Sequence, residues 1–550
     1  MVGTPRGFRD ILPNEALARE RISEQVKACF SKHGYLPVEM PMLEEHAALE
    51  RGGHVPASPF RLFDSDGGLL VMRPDLTLAI ARMVATRMTC DQLPLRLRYS
   101  APVVREESTL AGQPRQFTQL GVELVGGQGV EGEVEVVSLL AESLEALAVP
   151  AWTIVCGSVT PLNLLLDHCA PSEGFRSRAL ELVHSSDLVG LDELVLAADL
   201  PAEAGLALMH LPRLSGGVEV LDEVDRLLAA AGIPAGCGTE DLRELAGQLS
   251  ALITADRLRF DFSIINSFDY YTGAVFKGYA EGITAAIASG GRYDAVLANQ
   301  GLVDTAACGF MLSLERLQEV LGEQGESGVV ARRERLAERP LRIAVPKGSL
   351  FKDSVRLLGE AGLPVDELSN VGRRLIIRTD GVEYIIVRAQ DAPAFVAHGG
   401  ADCGICGSDS IIEANVDVMQ LADLRFGACR FVVAEPAWAA GSADEAYAWR
   451  GTVRVATKYP RITTAYYDSL GQQVDIVQLH GNIELGPIVG MADRIVDITQ
   501  TGATLEQNDL VIVDDVMECT ARFFAGPAAY RCDRRIKDLA ARLADAARNR

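Results

Sequence analysis

Positive charge is what this 550-residue chain lacks most: 52 lysines and arginines stand against 75 aspartates and glutamates, a formal net charge of −23 at pH 7. A nucleic-acid binder needs a cationic footprint to displace counterions from phosphates, so no nucleic acid is expected as the main partner. Small anionic substrates would need focused cations or a metal ion to overcome the repelling field. No apolar run reaches the length of a membrane-spanning helix, and the Met1-Val2-Gly3 start has no apolar signal core, so the expected location is cytoplasmic, away from any membrane. Eleven cysteines are an odd number without the density of a disulfide scaffold, which points to a reducing compartment. Cys403 and Cys406, in ADCGICGSD, have the spacing of a metal knuckle or redox motif. No second C-x-x-C or paired histidines lie nearby, and the favoured reading is small buried core residues.

What is present is an ordinary globular composition, 48% hydrophobic and 23% charged, in a chain long enough for two to four domains. The segment LQEVLGEQGESGVVARRERLAERP, from Leu317 to Pro340, is glycine-rich and charged in its middle and reads as a linker. The expected division is a domain over 1–321, a linker over 322–340 and a second domain over 341–550. In the first half, Ile22, Val26 and Phe30 recur every four residues after Pro13 and before Gly34, predicting a helix. LRLRYSAPVV, FTQLGVELVG and YYTGAVFKGY then read as strands of an antiparallel sheet flanked by helices. The second half alternates strand-like LRIAV, EYIIVRA and DCGIC with helix-like LFKDSVRLLGEAG and APAFVAHGG. That is βαβ grammar, with parallel sheets and ligands at the strands' carboxyl ends.

The richest chemistry lies in ADRIVDITQTGATLEQNDL, residues 492–510. Arg494 to Ile498 reads as a strand, TQTGAT as a turn, and Thr504 to Leu510 as a helix start. Such a turn offers backbone N–H groups and hydroxyls to a phosphate, and Gly502 lets the backbone approach closely. A plain helix cap is the alternative reading. Asp493 and Asp497 could grip ribose hydroxyls or a magnesium shell.

With these strings in view, residues 341–550 resemble the short-form ATP phosphoribosyltransferase catalytic subunit. The matching segments are IAVPKGSLF, GRRLIIR, VRAQDAPAFVAHGGADCGICGSDSIIE, RVATKYP, QLHGNIELGPIVGMADRIVDI and TGATLEQNDL. The resemblance implies an α/β two-lobed periplasmic-binding-protein-like transferase domain, its lobes spanning 341–433 plus 512–550, and 434–511. It assigns the 5′-phosphate of phosphoribosyl pyrophosphate to Thr501, Gly502, Ala503 and Thr504, with Asp497 and Glu484 near the ribose. Adenine N-1 of ATP would attack the anomeric carbon and expel pyrophosphate. Lys347, Arg373, Arg374 and Arg388 would act on the leaving group, with Mg2+ carried in by the substrate and no protein-bound metal. Lys458 and Tyr459 could contact ATP or merely close a strand. Short-form members usually have arginine after Lys-Gly, where this chain has Ser349.

Residues 4–320 resemble the catalytic core of histidyl-tRNA synthetase and, more closely, its non-catalytic relative, the regulatory subunit of ATP phosphoribosyltransferase. The strings are TPRGFRDILP, VMRPDLTLAIAR, YSAPVVREES, RQFTQLGVELVG, FDYYTGAVF, SGGRYD and GFMLSLERL. The implied fold is an α+β class II synthetase-like antiparallel sheet domain. Asp75, Thr77, Arg105, Gln119, Glu123, Tyr270 and Tyr271 fall at histidine-pocket positions. Arg105 and Arg316 match the paired arginines of the class II nucleotide site. Asn266 stands where the synthetase has an arginine that stabilises the activated carboxylate, and no anticodon-binding domain follows. The two resemblances together imply a fused enzyme of histidine biosynthesis, with histidine as an allosteric inhibitor. A homo-oligomer, dimer or dimer of dimers, paired through the segment around Pro41, is expected. A tRNA ligase and a non-catalytic ligand sensor are the rival readings.

Overall fold

The computed structural model describes residues 3–52, 60–88, 93–105, 114–234, 236–264, 271–322, 339–500 and 502–549. Tyr270, Asn266, Thr501 and most of the 322–340 segment lie outside the described residues. The chain packs as two compact units: Met1–Arg339 with Pro527–Arg534, and Pro340–Gly526 with Arg535–Arg550.

The first unit opens on the helix Pro13–Lys32, started by a proline that needs no helical N–H partner. Ile22, Val26 and Phe30 are buried along one face as their spacing predicts, and Gly34 follows the helix with a φ of 79°. Nine strands then form one sheet in the order Leu36–Pro37, Leu95–Val104, Gln116–Val125, Ala307–Ser313, Ala288–Arg292, Ala274–Tyr279, Thr153–Ser158, Leu258–Asp261, Ser215–Gly216. The pairing is antiparallel except between Leu36–Pro37 and Leu95–Val104 and between Thr153–Ser158 and Leu258–Asp261. Six α-helices between Thr160 and Leu249 connect those last two strands, the crossover that a parallel pair requires.

Strand alternation sorts this sheet's side chains between two cores. Leu120, Val122 and Leu124 enter a large cluster with the helices Pro13–Lys32 and Gly129–Ala146. There Phe30 meets Phe310 edge to face, with ring centroids 5.6 Å apart. Gln119, Gly121 and Glu123 therefore face the other side. That side carries a second cluster, containing Leu97, Tyr99, Tyr293 and residues of the helix Thr77–Arg87. Residues 527–534 also pack in this unit, where the buried Arg531 donates to the Ser263 Oγ and the Tyr279 hydroxyl.

The second unit holds two sheets. Six strands run in the order Ile376–Thr379, Val382–Val387, Leu341–Pro346, Cys403–Gly407, Ala521–Ala525, Met419–Asp423. Five run in the order Val474–Gln478, Val453–Thr457, Arg494–Thr499, Cys429–Pro436, Leu510–Cys519. The chain passes from the first sheet to the second between Asp423 and Cys429 and returns between Cys519 and Ala521.

Both sheets are mixed, which corrects the expectation of parallel ones. The βαβ segments do pair in parallel, but the strands that carry the chain between sheets come back antiparallel to their neighbours. Cys403 and Cys406 are fully buried on one strand; three residues apart, they point to opposite faces and cannot converge on one ion. The helix expected over 504–510 is Ala503–Gln507, and Leu510 already begins a strand. The intervening Asp509, with a φ of 55°, turns the chain out of the helix. Among the described residues, no helix is long and apolar enough to cross a membrane.

Candidate functional site

In the six-stranded sheet, three parallel strands end together. Pro346 pairs with Val387 and Ile343 with Cys403, so Lys347, Arg388 and Gly407 leave the sheet at the same edge. The Lys347 N–H donates to the Val387 carbonyl at 2.7 Å, tying the first two exits together. Gly348 follows with a φ of 88°, a left-handed conformation that suits glycine, and Ser349 is exposed in the same turn. The third exit opens the helix Ser408–Ala414. Its Asp409 is buried, which raises its carboxyl above the usual range against the opposing backbone bond from Ser410.

In the five-stranded sheet, Thr457 pairs in parallel with Val496, which sets Lys458 level with Asp497. Burial raises the Asp497 carboxyl, the Lys458 ammonium opposes that, and Glu484 adds to it, so all three charges share one neighbourhood. The Ile498 N–H donates to Asp497 at 2.8 Å. Just beyond, the Gly502 N–H donates to the Thr499 Oγ1 at 2.8 Å. Gly502 has a φ of 80° and opens the helix Ala503–Gln507, with Thr504 exposed in its first turn. A carboxylate, a lysine and the turn at Gly502 thus lie at the strands' carboxyl ends, where open α/β sheets bind ligands.

Two predicted site residues are placed elsewhere. Asp493 precedes the strand Arg494–Thr499, and its carboxylate is held by Arg450 and by Arg454 at 3.0 Å. Residues four apart on a strand share a face but lie roughly 13 Å apart, so Asp493 is an ion-pair anchor at the far end. Those arginines hold its carboxyl below the usual range, outweighing its burial. Arg374 is turned back on its own loop, donating to the Asn370 carbonyl at 2.6 Å and pairing with Glu367 at 3.4 Å. Its neighbour Arg373, after the positive-φ Gly372, is exposed.

In the first unit, a polar group is sunk beneath the helix Thr77–Arg87. Glu123 is 1% exposed and accepts from the Thr77 Oγ1 at 2.8 Å, the Tyr293 hydroxyl at 2.6 Å and the Tyr99 hydroxyl at 3.4 Å. Burial pushes its carboxyl up to about 7 despite those bonds, and Asp75 adds to the rise. Asp75 accepts from the Leu78 N–H at 3.2 Å; its pKa is also raised by burial, against the pull of Arg105. Arg105 donates to the Pro74 carbonyl at 2.7 Å and lies over the Phe117 ring. Arg316, on the helix Leu314–Leu321, donates to the Ala286 carbonyl at 2.5 Å.

Glycines make room for this group. A Cβ on Gly309 would fall 1.8 Å from the Glu123 Oε2, one on Gly121 2.4 Å from the Tyr99 hydroxyl, and one on Gly291 2.6 Å from the Tyr271 ring. Gln119 is buried on the same face of the sheet. The sequence reading missed Tyr99 and Tyr293 as partners of Glu123. The available signal was their presence in YSAPVV and SGGRYD, beside the predicted positions.

Residues 7–317 match the family described as histidyl-tRNA synthetase, and residues 388–545 match the family described as ATP phosphoribosyltransferase. An ATP phosphoribosyltransferase of Rubrobacter xylanophilus is 48% identical over 193 residues, 35% of this chain and 89% of the relative. An ATP phosphoribosyltransferase regulatory subunit of Moorella thermoacetica is 37% identical over 328 residues, 58% of this chain and 82% of the relative. The chain belongs to the ATP phosphoribosyltransferase family. It joins a regulatory-subunit part and a catalytic part in one polypeptide. The class II synthetase-like fold of the regulatory part matches a solved ATP phosphoribosyltransferase regulatory subunit/histidyl-tRNA synthetase of Bacillus halodurans. That match has a TM-score of 0.54 and 27% identity, covering 70% of this chain and 99% of that one. The catalytic part is that of a phosphoribosyltransferase enzyme.

Proposed function

We propose that the second unit is a two-lobed, periplasmic-binding-protein-like catalytic domain that seats phosphoribosyl pyrophosphate and ATP at the carboxyl ends of its two sheets. The observation that carries this reading is the placement of Lys458 beside Asp497, next to the turn at Gly502. The 5′-phosphate would rest on Thr501, Gly502, Ala503 and Thr504, with Asp497 and Glu484 holding ribose hydroxyls. Lys347, Arg388 and Arg373 would neutralise the pyrophosphate, and Arg374 would brace the loop that presents Arg373. Magnesium would enter as part of the pyrophosphate substrate.

The reaction requires the lone pair of adenine N-1 to form a bond to the anomeric carbon while the bond to pyrophosphate breaks. N-1 carries no proton, so no general base is needed. The enzyme's work is to hold two anions in line and to stabilise the departing charge. Focused cations do this in a chain whose overall field is repulsive. Incubating the chain with ATP, phosphoribosyl pyrophosphate and magnesium should generate the absorbance of an N-1-substituted adenosine and release pyrophosphate. Histidyl-tRNA formation in its place would favour the ligase reading, and the absence of any product would favour a sensor.

The first unit would bind free histidine and lower turnover. Buried Glu123 and Asp75 suit the ammonium or imidazole, Arg105 suits the carboxylate, and Tyr271 packs beside them. An initial rate unchanged by saturating histidine would reject this role. A homo-oligomer in the cytoplasm is the expected working form.

A further inference from the structure

The helix Pro460–Ser469, which begins two residues after Lys458, has no cap of its own. Its N-cap position is Tyr459, whose side chain makes no capping bond, and Pro460 has no N–H to offer. The first two free donors of the helix, the Arg461 and Ile462 N–H groups, are satisfied from another element. Both Glu413 carboxylate oxygens accept from Arg461 at 3.2 Å, and one accepts from Ile462 at 3.3 Å. Glu413 lies on the helix Ser408–Ala414, which follows a strand of the six-stranded sheet, whereas Pro460–Ser469 follows a strand of the five-stranded sheet. A carboxylate at a helix N-terminus gains from both the free N–H groups and the helix dipole. Here that interaction spans the two layers of the catalytic unit.

The turn that carries Lys458 is pinned from its other side by buried hydroxyls. The Thr457 Oγ1 donates to the Val496 carbonyl at 2.8 Å and accepts from the Tyr459 N–H at 3.0 Å. The Thr463 Oγ1 donates to the Tyr459 carbonyl at 2.8 Å. The Tyr459 ring packs edge to face on Phe431, and its hydroxyl lies near the side chain of Gln390, which again belongs to the six-stranded layer. Lys458 therefore sits in a turn whose backbone is fixed by its own sheet on one side and by Glu413 on the other.

We propose that Glu413 is a positioning residue of the transferase. By capping Pro460–Ser469 from the opposite layer, it sets the place of Lys458 and Tyr459 and so the seat of ATP. Glu413 touches neither substrate. The proposal takes Lys458 as an ATP contact, the first of the two roles its sequence leaves open, within the site proposed above, and the test separates the two.

The experiment compares steady-state kinetics and thermal melting of the full chain with those of Lys458→Ala, Glu413→Ala, Glu413→Gln and the Lys458/Glu413 double alanine variant. Loss of a cap of this kind should raise the KM for ATP about 5- to 10-fold in Glu413→Ala, with kcat changed less. Glu413→Gln, whose amide oxygen still accepts, should recover most of that change. The double variant should be no worse in KM than Lys458→Ala alone, because Glu413 acts through that turn. If Glu413→Ala does not fold, Glu413→Met, which keeps the side chain's length without an acceptor, replaces it. A KM for ATP within two-fold of the parent in the acceptor-free variant, while Lys458→Ala raises it, overturns the proposal. So does a Glu413→Gln variant no better than the acceptor-free one. If Lys458→Ala itself leaves the KM for ATP unchanged, the reading of Lys458 fails, and the proposal with it.

Discussion

The Tyr293 hydroxyl donates to the Glu123 Oε2 at 2.6 Å, in a space that exists only because residue 309 has no side chain. A buried carboxylate with three hydroxyl donors is a specified polar site, and such a site costs stability when it is only partly satisfied. Two substitutions, at Gly309 and at Glu123, probe that site.

Gly309→Ala would bring a Cβ to 1.8 Å from the carboxylate and 2.4 Å from the Val122 carbonyl. Neither can retreat within a central strand. The substitution should destabilise the first unit by about 3 kcal/mol, measured by urea unfolding, and should abolish histidine binding in calorimetry. A stable variant that still binds histidine would place the pocket elsewhere.

The Glu123 carboxyl is pushed up to about 7 by burial. A group whose folded pKa lies above its unfolded value holds its proton in the native state where the unfolded chain has lost it. Its favourable contribution is complete below the unfolded value of about 4.5 and is lost as the pH rises through 7. Glu133, also pushed up to about 7 by burial, acts in the same direction. Glu123→Gln should therefore flatten the loss of protection between pH 4.5 and 7, read by hydrogen exchange in the strand Gln116–Val125. An unchanged slope would mean that Glu123 titrates normally.

Within the catalytic unit, Asp497 and Asp493 should behave differently. Asp497→Asn removes a carboxylate from the group with Lys458 and should lower kcat/KM for phosphoribosyl pyrophosphate by roughly 10- to 100-fold. Asp493→Asn breaks the pairs with Arg450 and Arg454; it should lower stability and leave kcat/KM within a factor of about two. Equal kinetic losses in both would return Asp493 to the site.

Gly502 holds a φ of 80°, where a Cβ costs about 1–2 kcal/mol. The nearest heavy atom to such a Cβ is the Ile512 Cδ1 at 4.0 Å, so the cost is conformational rather than steric. Gly502→Ala should raise the KM for phosphoribosyl pyrophosphate on the order of 10-fold, measured by initial rates, while the KM for ATP changes less. Unaltered kinetics would remove the phosphate from this turn.

Much of the architecture was legible in patterning. LRLRYSAPVV is the strand Leu95–Val104, and the period of Ile22, Val26 and Phe30 marks the buried face of the first helix. Local periodicity carries such elements. The mixed pairing of the second unit was not legible, because strand direction depends on where the chain crosses between sheets. Asp493 stands apart from the expected site because the strand carries it roughly 13 Å from Asp497, where it meets Arg450 and Arg454, partners far away in sequence. Glu413, Tyr99 and Tyr293 escaped notice because their partners are far away in sequence, at 461, 123 and 123. The turns at Gly348 and Gly502 were legible because a glycine that takes a positive φ is a local signal.

One polypeptide is thus proposed both to make the N-1 glycosidic bond and to sense histidine. The most direct test is the initial rate of the purified full chain with ATP, phosphoribosyl pyrophosphate and magnesium, titrated with histidine, beside the Glu123→Gln variant. Product formation should fall with histidine in the parent and resist histidine in the variant. A parent that forms product at a rate indifferent to histidine would contradict the regulatory half of the account, and a parent that forms none would contradict the catalytic half.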